Sequence, residues 1–227
     1  MPWVHNQTMD VIFKRMDHTH RSHGADRSWN GKKQFQHWYR DNQVYFITAR
    51  CQGKYHAFAS EPAKNIFWRQ FEKYAKEFEF TPFVTSLLDN HYHTIGYLKL
   101  GANLPTMMHR IQGSVAKLVN DVMQAMRVAR ELEAPVPGER GDDGRLVPFW
   151  RDSKNKNYFD GCLRNEKQGR LTYRYVLTQC RRHRICDDWT KYPHTRVNVE
   201  MEKAIDRATQ LKAFLYGVRY RRYEGDP

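Results

Sequence analysis

Two runs of β-forming residues, FTPFVTSL at 80–87 and HYHTIGYL at 91–98, stand only three residues apart, at Leu88-Asp89-Asn90. A gap that short favours an antiparallel hairpin. Side chains alternate between the faces of a strand, so His91 and His93 project to one side and Tyr92 to the other. Two imidazoles placed this way can share one divalent metal ion. Far downstream, in LTYRYVLTQCRRH at 171–183, Tyr175 and Gln179 stand one helical turn apart.

Neither pair is strong alone. With 11 histidines in 227 residues, a His-x-His is an ordinary accident, and His18/His20 is a second one. Tyr39 and Gln43 repeat the Tyr-x-x-x-Gln spacing. Context separates them, because His18 and His20 lie in a polar tail and Tyr39 directly precedes a strand. On spacing alone two readings stay open: a metal-binding pair, or hydrogen-bonded strand histidines with Gln179 a polar surface residue.

Residues 1–40 are polar, His-rich and without periodicity, and read as an extension. VYFITARC at 44–51 is the first strand. Ser60 offers an N-cap, and Ala63, Ile66, Phe67, Phe71, Tyr74, Ala75 and Phe78 follow at helical spacing. After the hairpin, the stripe from Leu104 to Met126 predicts a second helix whose methionines are core. The segment 131–148 contains PVPGERGDDG and reads as a surface loop, and Asn157–Leu163 as the last strand. Strand, helix, strand, strand, helix, strand is the order of an α+β, ferredoxin-like βαββαβ sheet with helices on one face.

A further helix is expected from Glu166 to about Arg182. Its inward stripe is Tyr173, Val176, Leu177 and Cys180, which makes Tyr173 core and leaves Tyr175 and Gln179 at the edge of the buried face. Asp187 to His194 reads as a loop. An amphipathic C-terminal helix follows on Met201, Ala204, Ile205, Ala208, Leu211, Leu215 and Val218, ending in the basic run Arg219 to Arg222. The domains are thus an extension at 1–40, a central domain at 41–195 and a C-terminal helix at 196–227.

Net charge is +13 and the pI about 9.6, so an anionic partner is expected. Residues 149–190 hold ten Lys and Arg against five Asp and Glu, while 41–98 hold six of each, which puts surplus charge beside the Tyr175 helix. Lys154, Lys156, Arg164, Arg170, Arg174, Arg181 and Arg182 are therefore candidates for contacting a phosphate backbone. The four cysteines form no CxxC, which argues against a zinc knuckle. No apolar leader or membrane-length stretch is present, so a soluble, cytoplasmic protein is expected.

If the helix crosses the sheet near the hairpin, two imidazoles and one amide oxygen offer three ligands and leave positions open, the style of a catalytic site. The ion would be Mg²⁺ or Mn²⁺, with imidazole leaning towards Mn²⁺. Tyr175 would then attack a phosphodiester as nucleophile. Asp89 is a candidate to orient a histidine, or simply a turn residue.

At these residues the chain resembles the single-tyrosine HUH transposases, most closely their REP-associated tyrosine transposase branch. The resemblance rests on VYFITARC at 44–51, Asn-His-Tyr-His at 90–93, MHRIQGSVAKLVN at 108–120, PFW at 148–150 and YRYVLTQCRRH at 173–183, an ordered series spanning roughly 43–195. It implies a ferredoxin-like fold, His91 and His93 as the metal pair, and Gln179 as third ligand where many relatives carry Asn. Tyr175 would form a 5′-phosphotyrosine with single-stranded DNA bearing hairpins or palindromic repeats. Some relatives are homodimers with the tyrosine helix exchanged, while this branch tends to monomers. The chain departs from the pattern at Tyr92, at Asp89, at Cys180-Arg181 and at Arg184, where relatives often have Gly. Without that Gly the helix is expected to lack its usual left-handed cap. The rival expectation is a non-catalytic protein that stacks single-stranded nucleic acid on aromatic rings.

Overall fold

The computed structural model describes residues 39–128, 144, 147–151 and 157–215. The arm at 1–38, most of the 131–148 loop, Lys154, Lys156 and Arg219 to Arg222 lie outside the described residues.

Strand β1 (Gln43–Arg50) leads through Ser60, whose Oγ accepts the Ala63 N–H, into helix α1 (Glu61–Glu77). Strands β2 (Phe80–Leu87) and β3 (His91–Leu98) form the hairpin, followed by α2 (Asn103–Val128) and β4 (Tyr158–Cys162). All pairings are antiparallel and the sheet order is β4-β1-β3-β2-β5. Its first four strands have the order of a ferredoxin-like βαββαβ unit, as the element pattern predicts.

The hairpin's alternation decides what each face meets. Tyr92 points towards α1 and α2, with its ring 4.7 Å from Phe67 and 6.1 Å from Phe71 and its hydroxyl on Met108 Sδ. Met107 and Met108 are fully buried there, as core. His91 and His93 leave by the other face, which α3 (Glu166–Leu177) covers. Tyr173 is buried, its hydroxyl donating to the Val199 carbonyl.

Three expectations are corrected. The helix expected over 166–182 breaks at Thr178 (φ −92°, ψ 15°) and resumes as α4 (Gln179–Arg182). It also keeps a left-handed cap, because Arg184 itself adopts φ +57°. The Ile185 N–H bonds to the Cys180 carbonyl and the Arg184 N–H to that of Arg181, the paired bonds of a Schellman ending. Third, α5 (Met201–Gln210) stops well before Val218. The Asn42 amide holds the Leu211 carbonyl, Lys212 turns left-handed (φ +52°), and the Ala213 carbonyl takes the Val44 N–H. These bonds tie the chain to the start of β1 and leave Leu211 exposed rather than on a stripe.

The sequence reading also missed a strand. β5 (Thr195–Val197) pairs with β2 through Val84↔Val197 and Ser86↔Thr195. It is anchored to α1 by the Arg196–Glu72 ion pair and by the Arg196 guanidinium 4.0 Å over the Trp68 ring. No helix among the described residues is long and apolar enough to cross a membrane.

Candidate active site

The site lies where α3 covers the middle of the sheet. The rings of His91 and His93 lie 5.0 Å apart, centroid to centroid, and both are almost wholly buried. Asn90 Oδ1 is 2.6 Å from His91 Nδ1. A carboxamide oxygen only accepts, so His91 carries its proton on Nδ1 and keeps a lone pair on Nε2. Thr48, opposite His93 in the β1–β3 register, sets its Oγ1 2.7 Å from His93 Nδ1. When that hydroxyl accepts, His93 has the same tautomer. Such outer partners fix ring orientation in metal sites.

Burial pushes the His91 pKa down to about 3, with the charges of His183 and Arg50 adding to the effect. His93 is held well below its usual range, first by burial and then by His91, Arg50, His183 and Arg182. Both rings are therefore neutral near pH 7, the form in which imidazole binds metal.

Helix α3 begins at Asn165, whose side chain caps the Gln168 N–H, and its buried Thr172, Tyr173 and Val176 fix its rotation on the sheet. That rotation sets the Tyr175 ring 5.2 Å from His93 and 6.0 Å from Phe46, edge to face in both cases. Burial raises the phenol's pKa, while Arg182, Gln179 and Arg50 oppose that rise. One turn on, Gln179 is fully buried and its Nε2 donates to the Tyr175 carbonyl at 2.7 Å. Its Oε1 is buried without a hydrogen-bond partner. An orphaned buried acceptor costs about 1–3 kcal/mol, and a cation near it would remove that cost.

Among the described residues no three His, Cys, Asp or Glu side chains are grouped to hold an ion. A centre here would rest on two neutral imidazoles and one amide oxygen. That set fits Mg²⁺ or Mn²⁺, with the imidazoles favouring Mn²⁺.

The other candidates divide. Asp89 does not reach a histidine but pairs with Lys64 at 3.0 Å, and the neighbouring Asn90 is the residue on His91. Arg170 is drawn to Glu202 of α5 at 2.7 Å, and Arg164 donates to Gln168 Oε1. Arg174 and Arg181 are exposed. Arg182 lays its guanidinium 5.0 Å from the Tyr175 ring centroid. The second Tyr-x-x-x-Gln leads nowhere, since Tyr39 is exposed and the Gln43 amide bonds the Asp41 and Asn42 carbonyls.

Sequence reasoning missed four residues here: Thr48, Arg50, Asn90 and His183. Arg50 lies opposite His91, and the His183 ring is 4.8 Å from the His91 ring. Alternation along VYFITARC puts Thr48 and Arg50 on one face, but only the β1–β3 register says which histidine each one meets.

No family model and no curated protein matches the chain. Among solved structures, a REP-associated tyrosine transposase bound to a REP hairpin superposes with a TM-score of 0.51 at 13% identity, over 72% of this chain and 81% of that one. A protein provisionally named a transposase, from Deinococcus radiodurans R1, gives 0.39 at 10% identity over 65% and 97% of the two chains, too distant to argue from. At 13% identity the likeness is one of fold. The chain folds like the REP-associated tyrosine transposase of that structure.

Proposed function

We propose that the chain is a metal-dependent HUH-type transposase acting as a single-strand DNA endonuclease and strand transferase, with residues 41–195 as its catalytic domain. It works in the cytoplasm on hairpin or palindromic repeat DNA. The observation that carries this reading is the Tyr175 phenol ring against the His93 imidazole, two groups 82 residues apart in the chain. The orphaned Gln179 Oε1 one turn on supports it. Hairpin DNA as substrate rests on the likeness to the hairpin-bound structure. His91, His93, Tyr175 and Gln179 stand in one chain, so the site can be complete in a monomer, and the reading holds for a monomer or a homodimer.

His91, His93 and Gln179 would hold Mg²⁺ or Mn²⁺, which when bound supplies the positive charge that polarises the phosphodiester. Asn90 leaves His91 Nε2 with its lone pair, and Thr48 does the same for His93 when its hydroxyl accepts. Phe46 and His93 fix the direction of the phenol. The phenol loses its proton, its oxygen bonds to phosphorus, and the P–O3′ bond breaks. The departing oxygen takes up a proton and becomes a 3′ hydroxyl. The 5′ phosphate stays on Tyr175 as a diester, so another 3′ hydroxyl can reverse the step and join strands.

The test is incubation of hairpin-bearing single-stranded oligonucleotides with Mn²⁺ or Mg²⁺. Covalent adduct is expected with wild type and absent in Tyr175→Phe, in His91→Ala and with chelator. Salt-sensitive binding without adduct, indifferent to chelator and to His91→Ala, would establish the non-catalytic nucleic-acid-binding alternative instead. Because burial raises the phenol's pKa, cleavage should also accelerate as pH rises from about 7 to about 9, where more of the phenol ionises. A rate that falls over that range would contradict a buried phenol as the attacking group.

A further inference from the structure

We propose that Arg50 and Arg182 form a two-sided guanidinium clamp on the phosphodiester that Tyr175 attacks. The proposal rests on the nuclease reading and extends it to the groups that grip the substrate. Arg50 stands at the end of β1, directly opposite His91 and on the face that carries Thr48 and His93. Arg182 comes from the other side, at the end of α4, with its guanidinium 5.0 Å from the Tyr175 ring centroid. After burial, the charge of Arg50 is among the influences on His91, His93, Tyr175 and His183, in keeping with its place opposite His91.

Among the described residues the site shows positive charge without a paired negative one. The ion pairs among the described residues join Lys64 to Asp89, Arg170 to Glu202, His194 to Glu61 and Arg196 to Glu72, and none includes Arg50 or Arg182. Among the described residues no carboxylate is among the groups acting on His91, His93 or His183. The metal-ligand candidates are neutral as well. One guanidinium against the Tyr175 ring and a second arginine opposite His91, with no ion-pair partner for either among the described residues, are complementary to an anion that arrives with the substrate. A guanidinium presents a planar fork that matches the non-bridging oxygens of a phosphate, and it stays charged at any working pH. Arg170, committed to Glu202, is not available for this.

The experiment reads binding without chemistry. The full-length Tyr175→Phe protein, in chelator, is titrated with a hairpin oligonucleotide carrying a single-stranded flank. Each linkage in turn is replaced by an uncharged methylphosphonate. One linkage, the one wild type cuts, should weaken binding about tenfold when neutralised, the scale of a charge-assisted contact. Adding Arg50→Gln or Arg182→Gln should erase that penalty and leave the penalties at other linkages in place, which a merely structural defect would not do. Arg50→Lys should retain part of it. Arg182 is exposed at a helix end, so its variant tests the clamp even if Arg50→Gln unfolds. The clamp is overturned if no linkage loses its penalty in the arginine variants, or if the linkage that does is not the one cut. The nuclease reading fails separately, by the absence of adduct in wild type.

Discussion

Gln179 concentrates the chemistry of the site in one side chain. Its Nε2 secures the helix end at the Tyr175 carbonyl while its Oε1 stays buried and unpaired. An ion that binds the fold and not the unfolded chain stabilises it in proportion to its occupancy. Mn²⁺ at about a hundred times its Kd should therefore add about 2.7 kcal/mol, seen as a rise in melting temperature of the chelator-stripped protein. Gln179→Leu and His91→Ala should lose most of that rise, and an undiminished rise in both would remove these residues from the metal centre. Arg184 poses a separate question, because it holds a left-handed conformation (φ +57°) that suits glycine. Relief of that strain outweighs the added freedom of the unfolded chain, so Arg184→Gly should stabilise by roughly 0.5–1 kcal/mol in denaturant titrations. Lower stability in the glycine variant would contradict the strain. The sequence departure here is real, but its expected consequence was wrong. The Schellman bonds form anyway, and the helix end is strained rather than lost.

Among the elements, the hairpin was the most legible, because three turn residues between two β-forming runs leave few alternatives. Its packing has one stringent point. A Cβ on Gly96 would lie 2.3 Å from the Phe80 ring and 2.6 Å from the Thr81 carbonyl oxygen. The ring could swing aside, but the carbonyl belongs to the paired strand. Gly96→Ala should therefore destabilise by about 1–3 kcal/mol, the usual cost of overpacking, and thermal melting checks it. A neutral result would mean that β2 and β3 are not in this register. Other elements were illegible for identifiable reasons. Thr195–Val197 is too short to show alternation, and its strand character comes from pairing with β2 and from Trp68 beneath Arg196. The stripe from Met201 to Val218 has helical period, yet tertiary hydrogen bonds at Asn42 and Val44 end the helix at Gln210. Local pattern proposes an element, and long-range bonds decide its length.

Over the whole molecule, the sheet separates two jobs. One face, with Tyr92, Phe67 and Phe71, is a packed core that holds the strands in register. The other carries His91 and His93 beneath the tyrosine helix. Sequence could supply the two halves of the site, since alternation pairs the histidines and helical spacing pairs Tyr175 with Gln179. It could not supply the docking of helix on sheet, nor Arg50, whose place beside His91 depends on strand register. The excess of positive charge expected beside the helix is partly spent within the fold, as at Arg170, while Arg182 stays against Tyr175. Every role proposed for the site requires that the phenol of Tyr175 become joined to DNA. The most direct measurement is mass spectrometry of the protease-digested protein–DNA adduct formed in Mn²⁺. The prediction is a 5′-linked nucleotide remnant on Tyr175 and on no other residue; a remnant on Tyr173, or no adduct under conditions where hairpin DNA is bound, would contradict it.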